Sequence, residues 1–165
     1  MSLATKHQLM VAYNMQCPDN EKSYLDVCQI SKVPIDVLNE DVVKTVTQRY
    51  PDITTVDLAH SVTVNSIKYK TGMVVVHGSC GSLPEFAEIM QLCLIRDTLS
   101  LIIRKLFSWY REHNRAFELQ PMRELAVVEL KELVDQYPLA DYKVGSLRMV
   151  TLKRFVHITG TISNV

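Results

Sequence analysis

A chain of 165 residues, 47% of them hydrophobic, is long enough to bury one core and leaves room for one domain with a short appendage. Eighteen basic residues against eighteen acidic ones provide no global field toward nucleic acid or anionic lipid, so binding of either kind requires a local patch. The apolar run over residues 89–107 is cut by Arg96, Asp97, Arg104 and Lys105, and each charge costs roughly 2.5–3.5 kcal/mol at a bilayer centre, which argues against a membrane partner.

Residues 1–34 show little periodicity. From Asp19 to Asp41 six carboxylates face only Lys22 and Lys32, a pattern that predicts an irregular acidic segment. The opening MSLATKHQLMVAYNMQC lacks the uninterrupted apolar core of a secretory signal, so the expected location is intracellular, with reduced thiols. Nucleus and cytosol are equally compatible with it.

An amphipathic helix is predicted over 35–51. Asp36 is its expected cap, Leu38, Val42, Val46 and Tyr50 recur every four residues beside Val43, and Pro51 ends it. The period then shortens to two. Val62 and Val64, then Ile67 and Tyr69, alternate with polar residues around Asn65-Ser66, which predicts a hairpin because Asn tolerates the positive φ of such turns. After Gly72, the run Met73-Val74-Val75-Val76 favours a strand ending at His77-Gly78.

Residues 84–110 admit two readings. Ser82 with Glu85 forms a capping box and Pro84 fits a first turn, which favours one long helix. Yet the apolar residues cover nearly every side of such a helix, and two buried strands joined by Arg96-Asp97-Thr98 account for that density better. Residues 116–119 and 125–128 read as extended runs interrupted at Pro121, VELKELVDQY as a short helix before Pro138, and the last section as a hairpin turning at Gly145-Ser146. The expected fold is mainly β (α+β): a small antiparallel barrel-like domain over 55–158, preceded by one amphipathic helix.

The stretches SVTVNSIKYKTGMVVV, LPEFAEI, EHNRAFEL, ELVDQYPLADY and RMVTLKRFV together resemble a family of uncharacterised animal proteins, abundant in fish and some invertebrates and often in transposon-like contexts. The resemblance covers residues 55–157 and rests on packing motifs: Tyr69 with Gly72-Met73-Val74, Pro84-x-Phe86-x-x-Ile89, His113 before Phe117-Glu118-Leu119, and Val150-x-Leu152-Lys153. It implies β structure through 84–110 and carries no catalytic residues.

The sites follow from chemistry. Gly78-Ser79-Cys80-Gly81-Ser82 misses the G-x-S-x-G nucleophile elbow by position, so a cysteine-dependent hydrolase using His77 and Cys80 is a distant alternative and no enzymatic activity is expected. Cys17, Cys28, Cys80 and Cys93 form no CxxC pair, and His7, His60, His77, His113 and His157 have no ligand spacing; neither metal nor cofactor is expected. Glu129, Glu132 and Asp135 read as the wet face of the short helix. Basic segments 96–115 (Arg96, Arg104, Lys105, Arg111, Arg115) and 143–154 (Lys143, Arg148, Lys153, Arg154) allow a nucleic-acid interface if strands unite them. The favoured role is a non-enzymatic module that binds a peptide or protein. Its candidate contacts are Tyr69, Arg104, Lys105, Trp109, Tyr110, Arg111, Tyr137, Tyr142, Lys153 and Arg154.

Overall fold

The computed structural model describes residues 25–28 and 30–152. The end of the expected 55–158 domain, with Lys153 and Arg154, lies outside the described residues, as do most of residues 1–34. The described chain is mainly β and antiparallel with one α-helix.

Residues 84–110 form two strands. β7 (Leu83–Ile95) and β8 (Thr98–Arg111) turn at Arg96-Asp97, and β9 (Ala116–Glu129) completes a trio of 13, 14 and 14 residues. Arg96 and Asp97 both take positive φ, 51° and 61°, as a two-residue hairpin matched to strand twist requires. The Ser82 capping box goes unused: Gly81-Ser82 is the turn from β6 (Val74–Cys80) into β7, and Glu85 lies opposite Gly78. β6 thus runs three residues past His77, with a register shift there that leaves His77 unopposed between Val76 and Gly78.

Two bulges divide this sheet into halves. Ile89 faces Ile103 and Gln91 faces Ile102, so Met90 is extra in β7. Arg104 faces Leu125 and Leu106 faces Pro121, so Met122, Arg123 and Glu124 loop out opposite Lys105. Pro121, which supplies no ladder donor, is tolerated beside this irregularity.

In the first half both faces are covered. The front is roofed by a three-stranded sheet of β1 (Leu25–Cys28), β4 (Ser61–Val64) and β5 (Ile67–Lys70), which packs Val27, Val62, Val64 and Tyr69 onto Ile89, Leu92, Leu101 and Ile103. The back receives α1 (Glu40–Arg49), where Val46, with Leu38, Val42, Val43 and Tyr50, meets Cys93, Ile95, Ile102 and Val127. Burial of each such aliphatic side chain contributes roughly 1.5–3 kcal/mol. That double covering is why the sequence is apolar at almost every position there.

In the second half the sheet curls. Its strand order continues through β6 to β10 (Asp135–Leu139) at one end and through β12 (Leu147–Val150) to β11 (Tyr142–Val144) at the other. Leu139 and Val150, from opposite ends, share one cluster with Val74, Phe86, Leu106 and Phe117 on the back face. The curl is barrel-like but the hydrogen-bonded path does not close.

Three sequence expectations are corrected. Residues 25–28 and 31–34 are not irregular: β1 pairs β4, and β2 (Ser31–Pro34) pairs β3 (Thr55–Ala59), which joins β7. The helix starts at Glu40 instead of 35, because Ile35–Val37 form a 3-10 turn and Asn39, not Asp36, accepts the N–H of Asp41 at 2.9 Å. The short helix over VELKELVDQY reduces to a 3-10 turn at Leu130–Glu132, after which β10 begins with a buried Asp135.

The free edges are blunted. β11 has three residues, β10 carries Pro138, β5 carries Lys68 and Lys70, and β2 carries Lys32 and Pro34. Tyr69, proposed above as a partner contact, is 1% exposed and donates its hydroxyl to the Gln136 carbonyl. Tyr69→Phe is therefore expected to lower stability by about 1 kcal/mol and Tyr69→Ala by about 3–5 kcal/mol in urea unfolding. Equal stability of Tyr69→Ala and wild type would refute its core role.

Candidate interaction surface

Beyond Ile103 the roof over the front of β8 ends. Lys105, Phe107, Trp109 and Arg111 continue on that same face, because strand side chains alternate. Register then fixes two cross-strand rows. Trp109 faces Glu118, Glu118 faces Met149, and Met149 faces Tyr142; two residues along, Phe107 faces Gln120 and Leu147 faces Val144. Phe107, Trp109, Tyr142, Val144 and Leu147 are all exposed large apolar side chains, with Phe107 at 51% and Trp109 at 37%. The Phe107 and Trp109 rings meet edge to face at 4.7 Å, and the Tyr142 hydroxyl shares a hydrogen bond of 2.8 Å with Thr151 Oγ1. The rings are thus held in place before any partner arrives.

The cations flanking this face are neutralised. Arg111 Nε donates to Glu118 at 2.7 Å, which compensates a carboxylate that is otherwise buried. Lys105 Nζ pairs with Glu124 at 2.5 Å. Arg148 lies on the back face, inside the curl, where it holds Glu88 at 3.2 Å and Asp141 at 2.5 Å. Burial alone would lower the Arg148 pKa, but the bond to Asp141 and the charge of Glu88 outweigh it, and the pKa is raised. Arg96 sits 5.8 Å from the Tyr50 ring centre, at the far end of β8.

The two basic segments do come near one another, since β9 alone separates β8 from β12. Among the described residues they do not form one basic face: Arg111 faces the front, Arg104 and Arg148 the back, and both Arg111 and Arg148 are paired with carboxylates.

The remaining sequence candidates scatter. Tyr110 points to the back, its ring 5.2 Å from Phe117. Tyr137 lies on β10, at the other end of the strand order. Arg104 faces the back, opposite Glu88 in register. Phe107, Val144 and Leu147 complete the patch, and a sequence signal for them existed: the i, i+2 spacing of Phe107 and Trp109 next to a β-hairpin of alternating Val144 and Leu147.

His77 and Cys80 lie on β6, which passes through the Gly81-Ser82 turn into another strand, so no helix N-terminus stands beside the thiol. Among the described residues no hydrogen bond joins His77 to Cys80, and no group of three or more His, Cys, Asp and Glu side chains is placed to hold a metal ion. No helix among the described residues is long and apolar enough to cross a membrane. No protein-family model, curated protein or solved structure matches the chain.

Two expectations follow. Burial pushes the Cys93 thiol up to about 12, whereas Cys80 is exposed, so iodoacetamide should modify Cys80 and spare Cys93 in the folded protein, as read by peptide mass spectrometry. Burial also lowers the His77 pKa below 6.5, with Glu85 and Glu124 opposing this effect and Lys105 adding to it. As pH falls through that value the unfolded chain takes up the proton first, so stability drops on acidification and is fully kept above it. His77→Gln should flatten the fall in urea midpoint between about pH 7 and 5; an unchanged slope would exclude His77 as its source.

Proposed function

We propose that this protein is a non-enzymatic interaction module that binds a protein or peptide through the front face of β8, β9, β12 and β11. The observation that carries the reading is the placement of Phe107, Trp109, Tyr142, Val144 and Leu147 on one face, all exposed. Exposed aromatic and aliphatic side chains gathered on one face mark interaction sites, here as two groups on β8 and on β11–β12 with Glu118 and Gln120 of β9 between them. Recognition uses the face and not strand addition, because the edges offer a three-residue strand, prolines and lysines.

A nucleic-acid interface is the weaker reading: Lys105, Arg111 and Arg148 are occupied by carboxylates of the protein itself. We further propose kinship with the animal protein family that residues 55–157 resemble, since the described part of its motifs falls on β4 to β7, β9, β10 and β12.

Peptides selected on the wild-type protein from a random display library provide the test. Trp109, the single tryptophan, reports binding by fluorescence. Phe107→Ala and Tyr142→Ala, which keep that reporter, should each weaken the selected peptides by about tenfold, near 1.4 kcal/mol. Equal affinity in both variants would sink the proposal. Oligonucleotide binding that weakens steeply with salt would instead favour the nucleic-acid alternative.

A further inference from the structure

The back of the sheet carries a second feature, a cleft of about 620 Å³ between the start of α1 and the β9 bulge. Its apolar wall includes Val42, Met90 and Leu125, and its charged groups are Arg104, Arg123 and Asp41. Met90 and Arg123 stand there because both belong to the bulged segments, which open the sheet at this point.

Arg104 is the unusual member. Its cross-strand neighbour is Glu88, yet the Glu88 carboxylate is taken by both amino groups of Arg148, at 3.2 and 3.4 Å. Among the described residues neither Arg104 nor Arg123 forms an ion pair or a side-chain hydrogen bond. A half-buried guanidinium with its donors unmet favours an incoming anion, and its planar fork matches a carboxylate. Two guanidinia and the Asp41 carboxylate leave one positive charge, which a monoanion balances and a dianion overshoots. The volume lies within the roughly 300–1,000 Å³ of small-molecule sites, which combine apolar walls with a few orienting polar groups.

We propose that this cleft binds a small amphipathic monocarboxylate, its head on Arg104 and Arg123 and its aliphatic body along Val42, Met90 and Leu125. The site is independent of the aromatic patch, because Arg104 and Trp109 point to opposite faces of β8.

The probe is decanoate, titrated calorimetrically, with decanol lacking the charge and acetate lacking the body. Decanoate should bind one per chain, decanol and acetate about tenfold or more weaker, and Trp109→Ala should leave decanoate affinity unchanged. Arg104→Met and Arg123→Gln should each weaken decanoate about tenfold, while Arg104→Lys restores part of the loss. Unsaturable decanoate binding, equal affinity for decanol, or wild-type affinity in the Arg variants would overturn the assignment. If circular dichroism shows Arg104→Met unfolded, the exposed Arg123→Gln variant decides alone.

Discussion

A strand presents its side chains alternately to two faces, and β8 holds that alternation for 14 residues while its surroundings change beneath it. Leu101 and Ile103 point under the three-stranded roof; Phe107 and Trp109, on the same face, emerge where the roof ends. Ile102 points to the helix and Leu106, on that other face, into the curl. One continuous strand therefore serves four environments. The bulges in its neighbours are what permit this: they let β7 and β9 bend around β8 without breaking its own pattern.

Charge is managed pair by pair. Arg49, on α1, donates to the Val127 carbonyl at 2.6 Å and to both oxygens of Glu132, which ties the helix to the end of β9 and to the 3-10 turn after it. This bond holds the Glu132 carboxyl below its ordinary pKa. Arg148 crosses the inside of the curl from β12 to β7, linking strands that β8 and β9 separate. Partly exposed pairs of this kind contribute about 0–1 kcal/mol each, so their main effect is on surface potential. Arg49, Lys105, Arg111 and Arg148 are thus matched by carboxylates beside them, whereas the two guanidinia of the cleft have none.

Much of this fold was legible in the residues. Asn65-Ser66 and Gly145-Ser146 turn where their chemistry says, with positive φ at Asn65, Ser66 and Gly145. The break at Pro121 and the resumption at Leu125 mark the two ends of the β9 bulge. What failed had local causes. Residues 25–34 carry no clean alternation because β1 and β2 are four-residue strands held by distant partners. Asp36 looked like a cap because a 3-10 turn imitates the start of a helix. The site is only half legible: Trp109 and Tyr142 stand out as aromatics, but which face each occupies depends on register across β9 and β12, which spacing within a single strand does not encode. Burial of Tyr69 is hidden for a related reason, since its alternation is that of a half-buried strand and gives no hint that β10 seals its hydroxyl.

The Arg96-Asp97 turn has a consequence for how the chain is made. IMQLCLI and LSLIIRKLF are the segments most able to associate with other chains, being apolar, extended and almost uncharged. The strands that hold them, β7 and β8, are joined by a two-residue turn, whose closure carries little entropy cost compared with bringing β10 back to β6. The stickiest part of the polypeptide can thus find its own partner by a local contact, and self-pairing competes there with aggregation from the start.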